Sequence, residues 1–130
     1  MTPELVELKK AIIDGMFSFM KYGGADDEND PEYDPEYDAG YTQRHIDQCS
    51  RIIDEFFGAL ANIPNLTRNE SILKAVKAAV VKLNKLNEKY DGSIIETDQR
   101  EQLCELIITA AKHAGLNSDV DDVTEEWREW

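Results

Sequence analysis

Apolar side chains recur three and four residues apart in four separate stretches of this chain, and nowhere does a stretch of any length alternate apolar with polar. Helical spacing brings such residues to one face of an α-helix, whereas a half-buried strand needs a period of two. The chain therefore reads as all-α. The first stretch carries Leu5, Leu8, Ile12, Met16, Phe19 and Met20, widened by Val6, Ile13 and Phe17. Thr2 is placed to cap it, Pro3 suits the first helical position, and Glu4 and Glu7 suit the positive end of the helix dipole. Gly15 lies inside, where glycine is unfavourable by about 1 kcal/mol, which predicts a closely packed neighbour. Gly23 and Gly24 end the helix.

The second helix begins near Tyr41, buries Ile46, Cys49, Ile52, Ile53, Phe56, Phe57 and Leu60, and stops at Asn62 and Pro64. The third opens on Thr67-Arg68-Asn69-Glu70, a capping box. Its stripe is Leu73, Val76, Val80, Leu83 and Leu86, flanked by Ile72 and Val81. Asp91-Gly92 signals a turn, after which Ile94 and Ile95 cross the core. The fourth helix starts at Thr97 or Asp98, carries Leu103, Cys104, Ile107, Ile108 and Ala111, and is capped by Gly115. A last short helix is expected from about Thr124, with Trp127 and Trp130 on one face. The expected architecture is one domain over residues 1–130, an antiparallel bundle of four main helices plus a short C-terminal helix.

Between the first two helices, at about residues 24–40, lies a segment that no core can absorb. Asp26 to Asp38 hold eight carboxylates and no base, with Asp-Pro-Glu-Tyr repeated in tandem at Asp30 and Asp34. Such a run repels itself, so it is solvated, neutralised by a cation, or docked on a basic partner. Pro31 and Pro35 suit the opening of a short helical turn. Tyr22, Tyr33, Tyr37 and Tyr41 thread through it, and tyrosine among carboxylates suits a protein interface. The expected partner-binding residues are Asp26, Asp27, Glu28, Asp30, Glu32, Tyr33, Asp34, Glu36, Tyr37 and Asp38. By contrast, six bases and two acids lie between Arg68 and Lys89, so the third helix is locally positive and its basic face is expected near the acidic loop.

The whole chain has 27 acids against 14 bases, a formal charge of −13. That balance disfavours nucleic acid and anionic membranes, both of which need Lys and Arg contacts, and it favours fast association with a basic protein. No apolar run approaches the roughly 18 residues that span a bilayer, and no secretory leader is visible. A cytoplasmic protein with two buried free thiols, Cys49 and Cys104, is expected.

Catalytic and metal signatures are weak. Asp26, Glu28 and Asp30 have calcium-loop spacing, but Pro31 stands where the bend needs Gly and Tyr37 where the loop needs Glu. Neither His pairs with a Cys at zinc-ligand spacing, and no cofactor is expected. His45 and Cys49 share a helix face, read as a surface histidine beside a half-buried thiol rather than as a catalytic pair. His113 suits the C-terminal end of the fourth helix. A second polar cluster comprises Asn84, Asn87, Glu96, Asp98, Arg100 and Trp127. Its simplest reading is local capping, and its functional alternative is a groove at one end of the bundle closed by Trp127.

Three patterns carry a family resemblance: Leu83-Asn84-Lys85-Leu86-Asn87, Ile95-Glu96-Thr97-Asp98-Gln99-Arg100-Glu101, and Glu125-Glu126-Trp127-Arg128-Glu129-Trp130. Over its last third the chain resembles small acidic helical immunity proteins of bacterial contact-dependent growth-inhibition and related polymorphic toxin systems. The resemblance implies a cytoplasmic inhibitor, not an enzyme, specific for one basic toxin domain, often a nuclease. It supplies no counterpart for the acidic loop. The alternatives are an adaptor that binds a peptide near Trp127 or self-associates as a homodimer through helix one, and a metal-assisted enzyme using the cluster from Glu96 to Arg100.

Overall fold

Four helices start and stop largely where local chemistry requires. The computed structural model describes residues 2–23, 25, 27–36, 41–63, 68–88, 95, 97–116 and 122–130, apart from the side chains at 68, 97 and 98. Helix α1 spans Pro3–Tyr22, α2 Gln43–Ala61, α3 Arg68–Glu88 and α4 Thr97–His113. No strand occurs among the described residues. Gly24, Pro64, Thr67 and the segment from Asp91 to Ile94, all assigned stopping, capping or crossing roles from sequence, lie outside them.

Thr2 is extended, and its Oγ1 accepts the Leu5 N–H at 3.3 Å, satisfying one orphan donor of α1. At the other end Gly23 takes φ 65°, and its N–H donates to the Phe19 carbonyl at 2.9 Å. Thr42 caps α2 slightly later than the sequence suggested. Its backbone N–H donates to His45 Nδ1 at 2.9 Å, so a histidine holds the place that Glu or Gln takes in a common capping box. Tyr41 precedes the helix and is buried, its hydroxyl donating to the Met16 carbonyl at 3.0 Å. Asn62 closes α2 by donating from Nδ2 to the Gly58 carbonyl at 2.9 Å. Gly115, at φ 105°, ends α4, with the Leu116 N–H turned back to the Ala111 carbonyl at 3.0 Å.

Helix α1 packs against α2 and α4, and α3 packs against the same two. The fully buried side chains come from every helix: Ile12 and Met16, Ile46, Ile72, Val76 and Leu83, and Leu103, Leu106 and Ile107. Leu106 falls outside the stripe read from sequence. It is buried because α4 is covered on two sides, by α1 and by α3, which widens its apolar face beyond a narrow seam. A Cβ on Gly15 would meet Gln102 Oε1 at 3.6 Å and Gln99 Nε2 at 3.7 Å. The neighbour expected at Gly15 is thus the glutamine pair of α4. Surface ion pairs join Lys9 to Asp54 at 2.7 Å, Lys82 to Glu55 at 2.8 Å and His113 to Glu4 at 3.3 Å. These are exposed enough to contribute little, but they mark which helix ends meet.

The C-terminal segment differs from expectation. Residues 123–127 form successive turns rather than a helix. The reason lies in competing partners. Asp122 Oδ1 accepts the Thr124 N–H at 2.9 Å. Asn84 of α3 then takes two backbone groups of the segment, donating to the Trp127 carbonyl at 2.7 Å and accepting the Glu129 N–H at 3.0 Å. Trp127 and Trp130 nonetheless both pack against the core.

Candidate functional site

Each Asp-Pro-Glu unit of the acidic segment builds the same turn. Asp30 Oδ1 accepts the Glu32 N–H at 2.9 Å, and Asp34 Oδ1 accepts the Glu36 N–H at 2.9 Å. Upstream, Asp27 Oδ1 accepts the Asn29 N–H at 2.8 Å. An aspartate bonding the backbone two residues on, followed by a proline with φ already fixed, favours a turn over a strand or helix. The sequence repeat is therefore a structural repeat, and single turns replace the short helical turns expected at Pro31 and Pro35. Asp26, Tyr37 and Asp38 of the expected binding set lie outside the described residues.

The segment faces water. Asp27, Glu28, Glu32, Asp34 and Glu36 are exposed, Asp30 half-buried. Among the described residues four ion pairs occur, from Lys9, Lys82, His113 and Arg128, and none uses those five exposed carboxylates. The internal complement expected from α3 is not seen in these pairs. Lys82 meets Glu55 of α2 because α3 packs against α2 and α4, whereas the acidic segment continues from α1.

An aromatic chain joins this segment to α1. Tyr33 is half-buried and meets Tyr22 edge-on, with ring centroids 6.0 Å apart. The Lys21 ammonium sits 5.4 Å from the Tyr22 ring centre and 5.8 Å from that of Phe17, within reach of cation–π attraction. Phe17 is 41% exposed and Val6 47%. Sequence reading placed both on the buried stripe. Each directly follows a buried residue, Leu5 and Met16, at the edge of a wide stripe, so helical spacing alone gave no signal of the outward turn.

The polar cluster is brought together in part: Asn84 donates to the Trp127 carbonyl, and the two residues share an open cavity of ≈ 400 Å³ with Lys85, Glu88 and Arg128. Asn84 and Asn87 are buried, and both amides engage backbone: Asn84 binds the C-terminal segment, while Asn87 Oδ1 accepts the Ile95 N–H at 2.9 Å. Such bonds replace those the backbone would otherwise lack away from water. The two side chains border a small pocket of ≈ 210 Å³ with Glu88, Glu129 and Trp130. Trp127 also lines an open groove of ≈ 490 Å³ with Leu73, Lys74 and Val123. Arg100 is half-buried on the first turn of α4, and no described contact joins it to Asn84, Asn87 or Trp127. Glu96 and the Asp98 side chain lie outside the described residues. Arg128, which sequence reading did not single out, ties the segment down: Nη1 donates to Cys104 Sγ at 3.0 Å and Nη2 lies 3.6 Å from Asp122 Oδ2.

His45 and Cys49 make no activated pair in this geometry. His45 Nδ1 is engaged with the Thr42 N–H. Cys49 is fully buried, and burial pushes its thiol up to about 12, against a smaller opposing pull from the Lys9 ammonium. Cys104 is only half-buried, unlike the buried thiol expected, because it borders the Arg128 contact; both thiols are free. Among the described residues no group of three or more His, Cys, Asp or Glu is arranged to hold a metal ion, and no helix is long and apolar enough to cross a membrane. No family model, curated protein or solved structure matches the chain.

Proposed function

We propose that the chain is an inhibitory binding protein, an immunity protein that neutralises a basic toxin domain such as a nuclease, acting in the cytoplasm. The observation that carries this reading is the row of exposed carboxylates at Asp27, Glu28, Glu32, Asp34 and Glu36, which none of the described ion pairs compensates. With a formal charge of −13, such a surface steers a cationic partner and occupies the place of its polyanionic substrate. Tyr33 supplies an aromatic contact beside the carboxylates. The bundle carries this surface, and the pairs His113–Glu4 and Lys9–Asp54, each joining a late part of one helix to an early part of its neighbour, support an antiparallel arrangement of α1 with α4 and α2. The resemblance of the last third to bacterial immunity proteins supports the same reading.

The test first asks whether a toxin gene adjoins the gene for this chain, and then uses the toxin domain found there. Replacing Asp27 and Asp34 by Asn and Glu28 and Glu32 by Gln lowers its association rate about tenfold or more at low salt and flattens the salt dependence. Unchanged kinetics would remove the segment from the interface.

A further inference from the structure

Basic side chains gather at one groove of an otherwise acidic molecule. Gln48, Arg51 and Ile52 of α2 and Lys82, Lys85 and Leu86 of α3 line an open groove of ≈ 220 Å³ where the two helices pack. Steps of three and four bring each set to one side of its helix. Arg51, Lys82 and Lys85 are exposed, Ile52 is half-buried and Leu86 buried. The groove therefore has an apolar floor and a cationic rim, and among the described residues no carboxylate lines it. Glu55 offsets Lys82 at 2.8 Å, and Glu88 borders the cavity on the far side of Lys85. Arg51 and Lys85 enter no ion pair among the described residues.

The chain also carries the opposite pattern. Pro31 and Pro35 are exposed, each set between two acids, as Asp30-Pro31-Glu32 and Asp34-Pro35-Glu36. Each aspartate closes its turn through Oδ1, which leaves the exposed glutamate carboxylate outside the turn. Within one molecule the two surfaces stand apart. The acidic segment leaves the end of α1 with Tyr33 held against Tyr22. Helix α3 lies across the bundle from α1, because both pack on α2 and α4. No described ion pair joins the segment to the groove.

We propose that the groove between α2 and α3 takes the acidic segment of a second copy of this chain, a proline ring resting on Ile52 and Leu86 and the flanking carboxylates meeting Arg51 and Lys85. Charge selects this occupant: each copy holds one anionic and one cationic surface that its own fold leaves unmatched. Charges more than about 8 Å apart are largely screened at physiological ionic strength, so the local match outweighs the net −13 of each copy. The two surfaces differ, and the contact is therefore heterologous. The assembly covers the same carboxylates that the proposed function gives to a basic protein, so self-association and binding of that protein exclude each other.

Sedimentation of the full chain at physiological ionic strength shows self-association that grows with concentration up to about 1 mM, the range of weak contacts. The pair Arg51→Glu and Lys85→Glu weakens it about tenfold or more, and so does the pair Glu32→Lys and Glu36→Lys. All four residues are exposed, so helix content and melting temperature stay at wild-type values. Neither variant self-associates, yet their equimolar mixture does, and one chain carrying all four substitutions regains self-association. A synthetic peptide of two Asp-Pro-Glu-Tyr units shifts the amides of Gln48 to Ile52 and of Lys82 to Leu86, and dissociates the wild-type assembly. A monomer at every concentration, self-association indifferent to either pair, or a fourfold variant that stays monomeric would overturn the proposal. Peptide binding in the groove without self-association would assign it to an acidic partner other than this chain, and would overturn the second copy as occupant. The chain is measured alone, so failure here leaves the proposed function standing, and unchanged toxin kinetics leave this contact standing.

Discussion

Two segments of this chain are acidic and aromatic, and they meet opposite fates. Residues 27–36 are mostly exposed, and Asp27, Asp30 and Asp34 each accept a backbone N–H two residues on within their own turns. Residues 122–130 carry comparable side chains yet lie against the bundle, with Thr124 fully buried and both tryptophans packed on the core. The difference is in what the bundle offers. The C-terminal segment meets the Asn84 amide, which supplies both a donor and an acceptor, and contains Arg128 to hold Asp122. The acidic segment contains no base and adjoins α1, where Lys9 faces Asp54 and Lys21 faces aromatic rings. Composition alone does not make a segment structural or available; the partners within reach do.

The comparison can be broken most forcefully at Asn84. Asn84→Ala leaves two backbone groups of the C-terminal segment without partners. Both bonds are part-buried, and each contributes about 0.5–1.5 kcal/mol net, so a loss of about 2 kcal/mol is expected in denaturant unfolding. A loss under about 0.5 kcal/mol, the scale of an ordinary surface change, would mean that the segment is as loosely held as the acidic one.

A fully buried thiol sharpens the contrast through pH. The folded protein holds the Cys49 thiol at about 12 against 9.0 for a free thiol. The unfolded chain therefore releases this proton first, so the contribution is flat below pH 9 and is lost as pH rises from there toward 12. At pH 10 the wild type should lose about 1 kcal/mol more than Cys49→Ala, measured relative to pH 8. Parallel pH profiles would contradict the burial.

Tyr41→Phe removes the hydroxyl that ties the end of the acidic segment to the Met16 carbonyl. It should cost about 1 kcal/mol by thermal unfolding. Tyr41 then acts as the joint between a wet segment and a dry core. The smallest expected effect is at the carboxylates themselves. Neutralising Asp27, Glu28, Glu32 and Asp34 should move stability by less than about 0.5 kcal/mol, even where it slows association. A large destabilisation would show that these carboxylates serve the fold.

The helices were legible because burial follows periodicity: Ile12, Met16, Ile46, Val76, Val80 and Leu103 all sit where spacing put them. Caps made of one side chain and its nearest backbone were equally legible at Thr2 and Gly115. The C-terminal turns were not, because Asn84 decides them from 43 residues away, and no local propensity encodes that bond. The partners within the polar cluster were hidden for the same reason: Asn87 reaches Ile95 and Asn84 reaches Trp127 and Glu129, choices set by the packing of α3. For the candidate interface, the carboxylate run and its tandem repeat were plain in the sequence. The outward turn of Phe17 was not, since a wide apolar stripe does not say which edge a bundle will leave uncovered.

The repeated turn has a consequence for how such a surface can change over time. Asp30 and Asp34 each close a turn on the backbone two residues on, so the turn chemistry travels with the repeated Asp-Pro-Glu itself. Duplication of a short stretch of coding sequence would lengthen the anionic face in regular steps, each new unit carrying the residues that shape it.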